Sequence, residues 1–275
     1  MNTKVLFNQI KKKQSFLCVG LDINQDLLPD NLRDDPNKVF NFSKSIIDST
    51  ARFCVAYKIN IAFFEAYGVK GWDCLEKITD YLNNYYPEIF TIADAKRADI
   101  GNTSKRYAKA FFDNLNFNSI TVAPYMGEDS VEPFLNYKDR YTILLALTSN
   151  RGAEDFQLLS LGDKKLYEHV IETSLTWKNS NQLMFVVGAT RPDALIKIRK
   201  LIPENFLLVP GIGAQGGNLE DVANNGLNHQ CGILVNSSRA IIYASKENNY
   251  AEKAGFEANQ IQQKMKDLLF KNNII

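Results

Sequence analysis

Four charged residues in two short segments could do chemistry together. The segment DAKRADIGNT, residues 94–103, sets Asp94 and Lys96 two positions apart, with Asp99 three residues further on. An apolar run, CVAYKINI (residues 54–61), carries Lys58. In a strand, residues i and i+2 face the same way. Asp94 and Lys96 are therefore expected to point into one site, with Lys58 one strand away at the same height and Asp99 in the loop beyond. Lysines and aspartates alternating in sign hold one another ionised, because opposite charges offset desolvation. A self-satisfied buried ion cluster is the structural alternative, but such clusters often gain no stability over apolar packing. Placed at the catalytic end of a scaffold, the cluster is better explained by function.

A second signal is VPGIGAQGG (residues 209–217), and a third is NSSRAI (residues 236–241). Glycines let backbone N–H groups approach an anion. Gln215 carries an amide donor, and Arg239 forks onto phosphate oxygens as a lysine does not. A plain tight turn explains the glycines alone; the glycines with Arg239 read as a phosphate site. The loop is not a Walker loop, since no Gly-Lys-Ser/Thr follows, and it does not complete a dinucleotide fingerprint.

These residues need elements to position them. Short apolar runs rich in β-branched residues recur at 16–23, 54–61, 90–96, 119–125, 141–149, 183–190, 206–213 and 231–238. Their nearly continuous apolarity suits parallel strands buried on both faces. Helical spacing fills the gaps at 39–52, 62–86, 106–115, 192–201 and 251–269; Val39, Phe42, Ile46 and Ile47 share one stripe. The alternation predicts a single (β/α)8 TIM barrel over residues 1–275, with a doubly wound open sheet as the alternative. Polar residues gather at the strand ends: Asp22, Lys58 and Asn60, Asp94 and Lys96, Thr148 and Ser149, Ser238 and Arg239. In a barrel that end builds the active site, and the loops after strands 7 and 8 form the usual phosphate cradle.

Composition excludes several classes. The chain has 275 residues, 45% hydrophobic and 23% charged, with a net charge of +1. That balance provides no global field for nucleic acid or anionic lipid. The lysine runs at 11–13 and 164–165 read as solvated faces. No apolar stretch reaches the ~18 residues of a membrane helix, and the N-terminus lacks the order of a secretory signal. Four cysteines without CxxC spacing read as buried reduced thiols in a reducing cytoplasm. Two histidines nearly exclude a His-based zinc site, so proton chemistry falls to carboxylates and lysines.

Taken together, Lys58, the 94–103 motif, the 213–217 loop and Arg239 resemble the orotidine 5′-phosphate decarboxylase family, in the branch with the DAKRADIGNT form. The resemblance spans roughly residues 16–245. It implies a cofactor-free, metal-free conversion of orotidine 5′-phosphate (OMP) to uridine 5′-phosphate (UMP) and CO2, the final step of UMP synthesis. It implies that Lys96 protonates C6 of the pyrimidine, that Asp94 sits beside the substrate carboxylate, and that Lys58 holds Asp94 and the ribose hydroxyls. It further implies a cytoplasmic homodimer in which Asp99, Ile100 and Thr103 reach into the site of the second subunit. Asp22 and Asn60 match ribose-binding positions; Gly213, Gln215, Ser238 and Arg239 match the phosphate grip; Thr148 and Ser149 match the pyrimidine edge. Two positions depart from the family pattern. The Thr148–Asn150 stretch differs from the serine-centred cap of other branches, and Ser238 stands where many relatives have glycine. At 275 residues the chain is expected to be monofunctional, without the phosphoribosyltransferase domain fused to some relatives. Two other readings are a magnesium-dependent sugar-phosphate decarboxylase or aldolase on the same barrel, and a non-catalytic nucleotide-binding barrel. The first needs further carboxylates, of which Glu65 is the nearest and has the phase of a plain helix residue. The second has little reason to retain Lys96. The long stretch 150–182 has no assigned role.

Overall fold

In the computed structural model, which describes residues 1–212 and 217–275, the eight apolar runs form eight strands. They are β1 (Leu17–Leu21), β2 (Ala56–Asn60), β3 (Phe90–Arg97), β4 (Ser119–Val122), β5 (Tyr141–Leu147), β6 (Leu183–Val187), β7 (Leu207–Pro210) and β8 (Ile233–Ser237). Each pairs in parallel with the next, and β1 pairs with β8 to close the barrel. The closure excludes the open-sheet alternative. Every residue of β1, β6 and β8 is buried. Apolar character therefore runs through consecutive positions there instead of alternating.

Helices cover the outside. Lys38–Thr50 buries Val39, Phe42, Ile46 and Ile47, the stripe expected from spacing. Pro192–Leu201 begins on its proline, whose missing N–H costs nothing in a first turn. The expected helix over 62–86 is two helices, Ile61–Glu65 and Gly68–Tyr85. At the break, the Tyr67 hydroxyl accepts from Gln25 N at 3.0 Å and donates to Ile23 O at 3.3 Å, tying it to the loop after β1. The helix expected at 106–115 starts earlier, at Gly101, and runs to Ala108 before a wider π turn over Lys109–Asn114.

Helical spacing does not point to the helices Thr3–Lys13, Glu128–Leu135 and Leu219–Gly226, nor to a hairpin within 150–182. The helix Thr3–Lys13 buries Leu6 and Ile10 against the barrel. Its Lys13 is not a solvated residue: Nζ donates to Ala51 O at 2.9 Å and Cys54 O at 3.1 Å. Within 150–182, Ser160–Leu161 and Lys164–Lys165 form a small antiparallel hairpin. Among the described residues no helix is long and apolar enough to cross a membrane.

Candidate active site

A cavity of about 340 Å³ opens at the C-terminal mouth of the barrel. Asp22, Lys58, Asn60, Asp94, Lys96, Thr148, Ser149, Ser238 and Arg239 all line it. Asp99, Ile100 and Thr103 do not. The Asp99 carboxylate accepts from Ile100 N at 2.7 Å, Ile100 is 55% exposed, and Thr103 is exposed on the helix Gly101–Ala108. Gly213 and Gln215 lie outside the described residues, but Gly211 and Ile212 just before them line the cavity.

The charges converge on Asp94. Lys58 Nζ lies 2.9 Å from Asp94 Oδ2 and 3.6 Å from Asp22 Oδ1. Lys96 Nζ lies 2.5 Å from Asp94 Oδ1. Lys58 does not stand level with Asp94 as expected. The β2–β3 register pairs Asn60 with Asp94 and Lys58 with Ile92, so the lysine starts one layer deeper and reaches upward. That depth separates the two ammonium groups: the Lys58 side chain is 6% exposed and the Lys96 side chain 52%. Lys58 is held firmly at the floor of the cavity, and Lys96 stands open at its mouth.

Lys96 also does not reach its place by simple strand alternation. Its φ is +47°, in the left-handed region. The register slips there: Ala93 pairs with Ile120, but Arg97 pairs with Val122. A bulge of this kind re-aims a side chain beside a site. Thr121 holds it, its hydroxyl accepting from Lys96 N at 2.9 Å and donating to Asp94 Oδ1 at 3.1 Å. Arg97 braces the other side, donating to Ala95 O at 3.1 Å and pairing with Glu65. Strand spacing carries no sign of such a bulge. Thr121 lies within β4, and its spacing does not mark it as a partner of Asp94.

Burial alone would raise the Asp94 pKa, but the Lys58 and Lys96 charges outweigh it and hold the carboxyl at about 2. Burial likewise pushes the Lys58 ammonium down, while Asp94 and Asp22 prevail and hold it above its ordinary value.

At the opposite wall, Arg239 is exposed and begins the short helix Arg239–Ile242 directly after β8. It makes no ion pair among the described residues, which leaves its donors for an anion. Ser238 sits over Gly20: a Cβ on Gly20 would lie 1.8 Å from Ser238 Oγ. A side chain at 238 is therefore accommodated by the lack of one at 20. Asn236, two residues before Ser238, lines the cavity and donates to Ser238 Oγ at 3.2 Å. Asn236 Oδ1 and Asp22 Oδ1 are buried with no hydrogen bond among the described residues. They are two acceptors suited to ligand hydroxyls. Beyond β5, Ser149 passes so close to Gly188 that a Cβ there would lie 2.8 Å from the Ser149 backbone.

The cavity thus holds a cation backed by a fixed carboxylate at one end, buried acceptors in its wall and a free guanidinium at its rim. It suits an anionic substrate in which negative charge develops near Lys96.

Comparison with known proteins agrees with this chemistry. Residues 15–254 match the family model described as orotidine 5′-phosphate decarboxylase / HUMPS family. A relative from Christiangramia forsetii named orotidine 5′-phosphate decarboxylase is 61% identical over 265 residues, covering 96% of this chain and 97% of that protein. One of the same name from Bacteroides fragilis is 54% identical, covering 98% of each. The solved Leishmania donovani OMP decarboxylase superposes with a TM-score of 0.80 at 37% identity, over 96% of this chain and all of that one. By family model, sequence and fold, the chain belongs to the orotidine 5′-phosphate decarboxylase / HUMPS family.

Proposed function

We infer that the chain decarboxylates OMP to UMP in pyrimidine biosynthesis. The observation that carries this reading is Lys96 beside Asp94 at the mouth of a closed barrel, with Lys58 fixing Asp94 from below. Loss of CO2 from C6 leaves a carbanion that the pyrimidine ring delocalises poorly. An ammonium held nearby stabilises it: at ~4 Å and an effective dielectric of ~20, one such pair is worth about 4 kcal/mol. Lys96 then delivers its proton to C6. Asp94, kept ionised, opposes the substrate carboxylate, and that repulsion vanishes as CO2 departs. The residues need no electron sink for this step, and the reading invokes neither cofactor nor metal.

In this reading the Asp22 and Asn60 side chains take the ribose, and Thr148 and Ser149 face the pyrimidine edge. Arg239 and Ser238, with Gly213 and Gln215, take the phosphate. Remote phosphate binding supplies energy to the reacting end. Asp99, Ile100 and Thr103, which stay out of their own cavity, complete the site of a second copy in a homodimer. Residues 1–275 act as one decarboxylase domain, and the cytoplasm is its proposed compartment. Glu65, the nearest extra carboxylate for a metal-dependent relative, is taken up by Arg97.

The test is the fall in ultraviolet absorbance as OMP becomes UMP, run with chelator present. Turnover under those conditions supports the reading. Turnover only on addition of magnesium, or none with OMP, overturns it.

A further inference from the structure

The stretch after β5 contributes a side chain that acts on the cavity without lining it. Gln157 clamps Thr148 at two points. Its Oε1 accepts from Thr148 N at 2.8 Å, and its Nε2 donates to Thr148 Oγ1 at 3.0 Å. The Thr148 hydroxyl, with one proton to give, donates in turn to Asn150 Oδ1 at 2.5 Å. Thr148 and Asn150 both line the cavity; Gln157 does not.

Gln157 is itself anchored. Its carbonyl accepts from Tyr167 N at 3.0 Å, and Tyr167 is 3% exposed. Ala153, between Asn150 and Gln157, is fully buried, and its N–H donates to Asn150 O at 3.1 Å. The segment 150–157 is therefore pinned at two points, the buried Ala153 and the Gln157 carbonyl. Because Gln157 occupies the Thr148 backbone N–H, that donor is not open to a ligand. What Thr148 and Asn150 present to the cavity is their side-chain polar groups, in an orientation set by the clamp.

We propose that Gln157 is a positioning residue for recognition of the pyrimidine base: it fixes the Thr148 rotamer and, through the shared hydroxyl proton, the Asn150 carboxamide. The polar edge of a pyrimidine, with its carbonyl and imide N–H, is the chemistry such a pair reads. The proposal rests on the reading of the cavity as a nucleotide site, and it gives Gln157, within the 150–182 stretch, a function. A side-chain clamp of this kind acts on binding of the base and leaves ribose and phosphate contacts alone.

The experiment compares two competitive inhibitors of OMP turnover, UMP and ribose 5-phosphate, which share the ribose and phosphate and differ at C1, where a hydroxyl replaces the base. Gln157→Leu is expected to weaken UMP about ten-fold, the loss from one misplaced hydrogen-bonding group, and to leave ribose 5-phosphate unchanged. Gln157→Glu, whose carboxylate still accepts from Thr148 N, is expected to recover part of the UMP affinity. In a Thr148→Val background, Gln157→Leu is expected to add less than about two-fold, because its target hydroxyl is already gone. If Gln157→Leu does not fold, Gln157→Glu against Thr148→Val carries the same comparison. Equal weakening of both inhibitors, or of neither, overturns the proposal. A wild-type protein that does not bind UMP overturns instead the nucleotide reading beneath it.

Discussion

Lys58 and Asp94 form a buried ion pair, Nζ to Oδ2 at 2.9 Å, although their strands are registered so that Lys58 lies opposite Ile92. The reach is upward from the barrel interior toward its mouth. It leaves the second Asp94 oxygen for Lys96 and Thr121. One carboxylate thus ties a buried charge to an accessible one. Breaking such a pair on one side strands a buried charge, a far larger cost than the pair's net worth.

The pair contributes to stability in acid. The Asp94 carboxyl is held at about 2 against an ordinary 3.8. A depressed carboxyl contributes stability that is present above its unfolded value and lost as pH falls through its folded one. Denaturant melts are expected to show a loss of about 2 kcal/mol from this group between roughly pH 4 and pH 2. Asp94→Asn is expected to remove that part of the pH dependence while lowering stability at neutral pH. An unchanged acid slope in the variant contradicts the assignment. Lys58, raised instead, contributes stability that is present below its ordinary value of 10.5 and lost only above it.

Arg239 is expected to matter only through the phosphate. A forked, charge-assisted contact of this kind is worth about 3 kcal/mol, so Arg239→Ala is expected to lower kcat/KM for OMP roughly a hundred-fold. Decarboxylation of the phosphate-free nucleoside is expected to be the same in both proteins. A loss that appears equally with the nucleoside places Arg239 elsewhere in the mechanism.

Gly20 and Ser238 are expected to be coupled. Gly20→Ala forces a methyl into the space of Ser238 Oγ and is expected to cost about 1–3 kcal/mol. Adding Ser238→Gly is expected to return most of it. Thermal melts of the two single variants and the double variant measure the coupling; additive losses rule it out.

Asp99 and Lys96 are expected to belong to different subunits of each working site. Lys96→Ala and Asp99→Ala are each expected to be nearly inactive. Unfolded together and refolded as mixed dimers, they are expected to regain roughly a quarter of wild-type activity, since half the dimers then carry one intact site. Activity that stays at the level of the parents places Asp99 outside the partner's site.

Much of this arrangement is legible in the residues themselves. Continuous apolar runs such as Leu17–Leu21 announce strands buried on both faces. Polar residues clustered at the ends of those runs announce the catalytic mouth. What spacing does not reveal is long-range or irregular. The helix Thr3–Lys13 is too polar to signal itself, and the burial of Lys13 depends on carbonyls 38 and 41 residues away. The left-handed Lys96 reaches Asp94 through a bulge that strict alternation omits. Asn236 and Thr121 show their part only through contacts, to Ser238 and to Asp94, that the fold creates. Gln157 acts from a segment whose contact with Thr148 no local pattern encodes.

The most direct test of the central claim is OMP turnover by wild type and by Lys96→Ala, followed by ultraviolet absorbance with chelator in both. Removing the Lys96 ammonium is expected to cost about 4 kcal/mol of transition-state stabilisation, roughly a thousand-fold in kcat. Wild-type turnover that survives the chelator and collapses in the variant is the expected result. Comparable kcat in the two proteins contradicts the role of Lys96 and the electrostatic mechanism built on it.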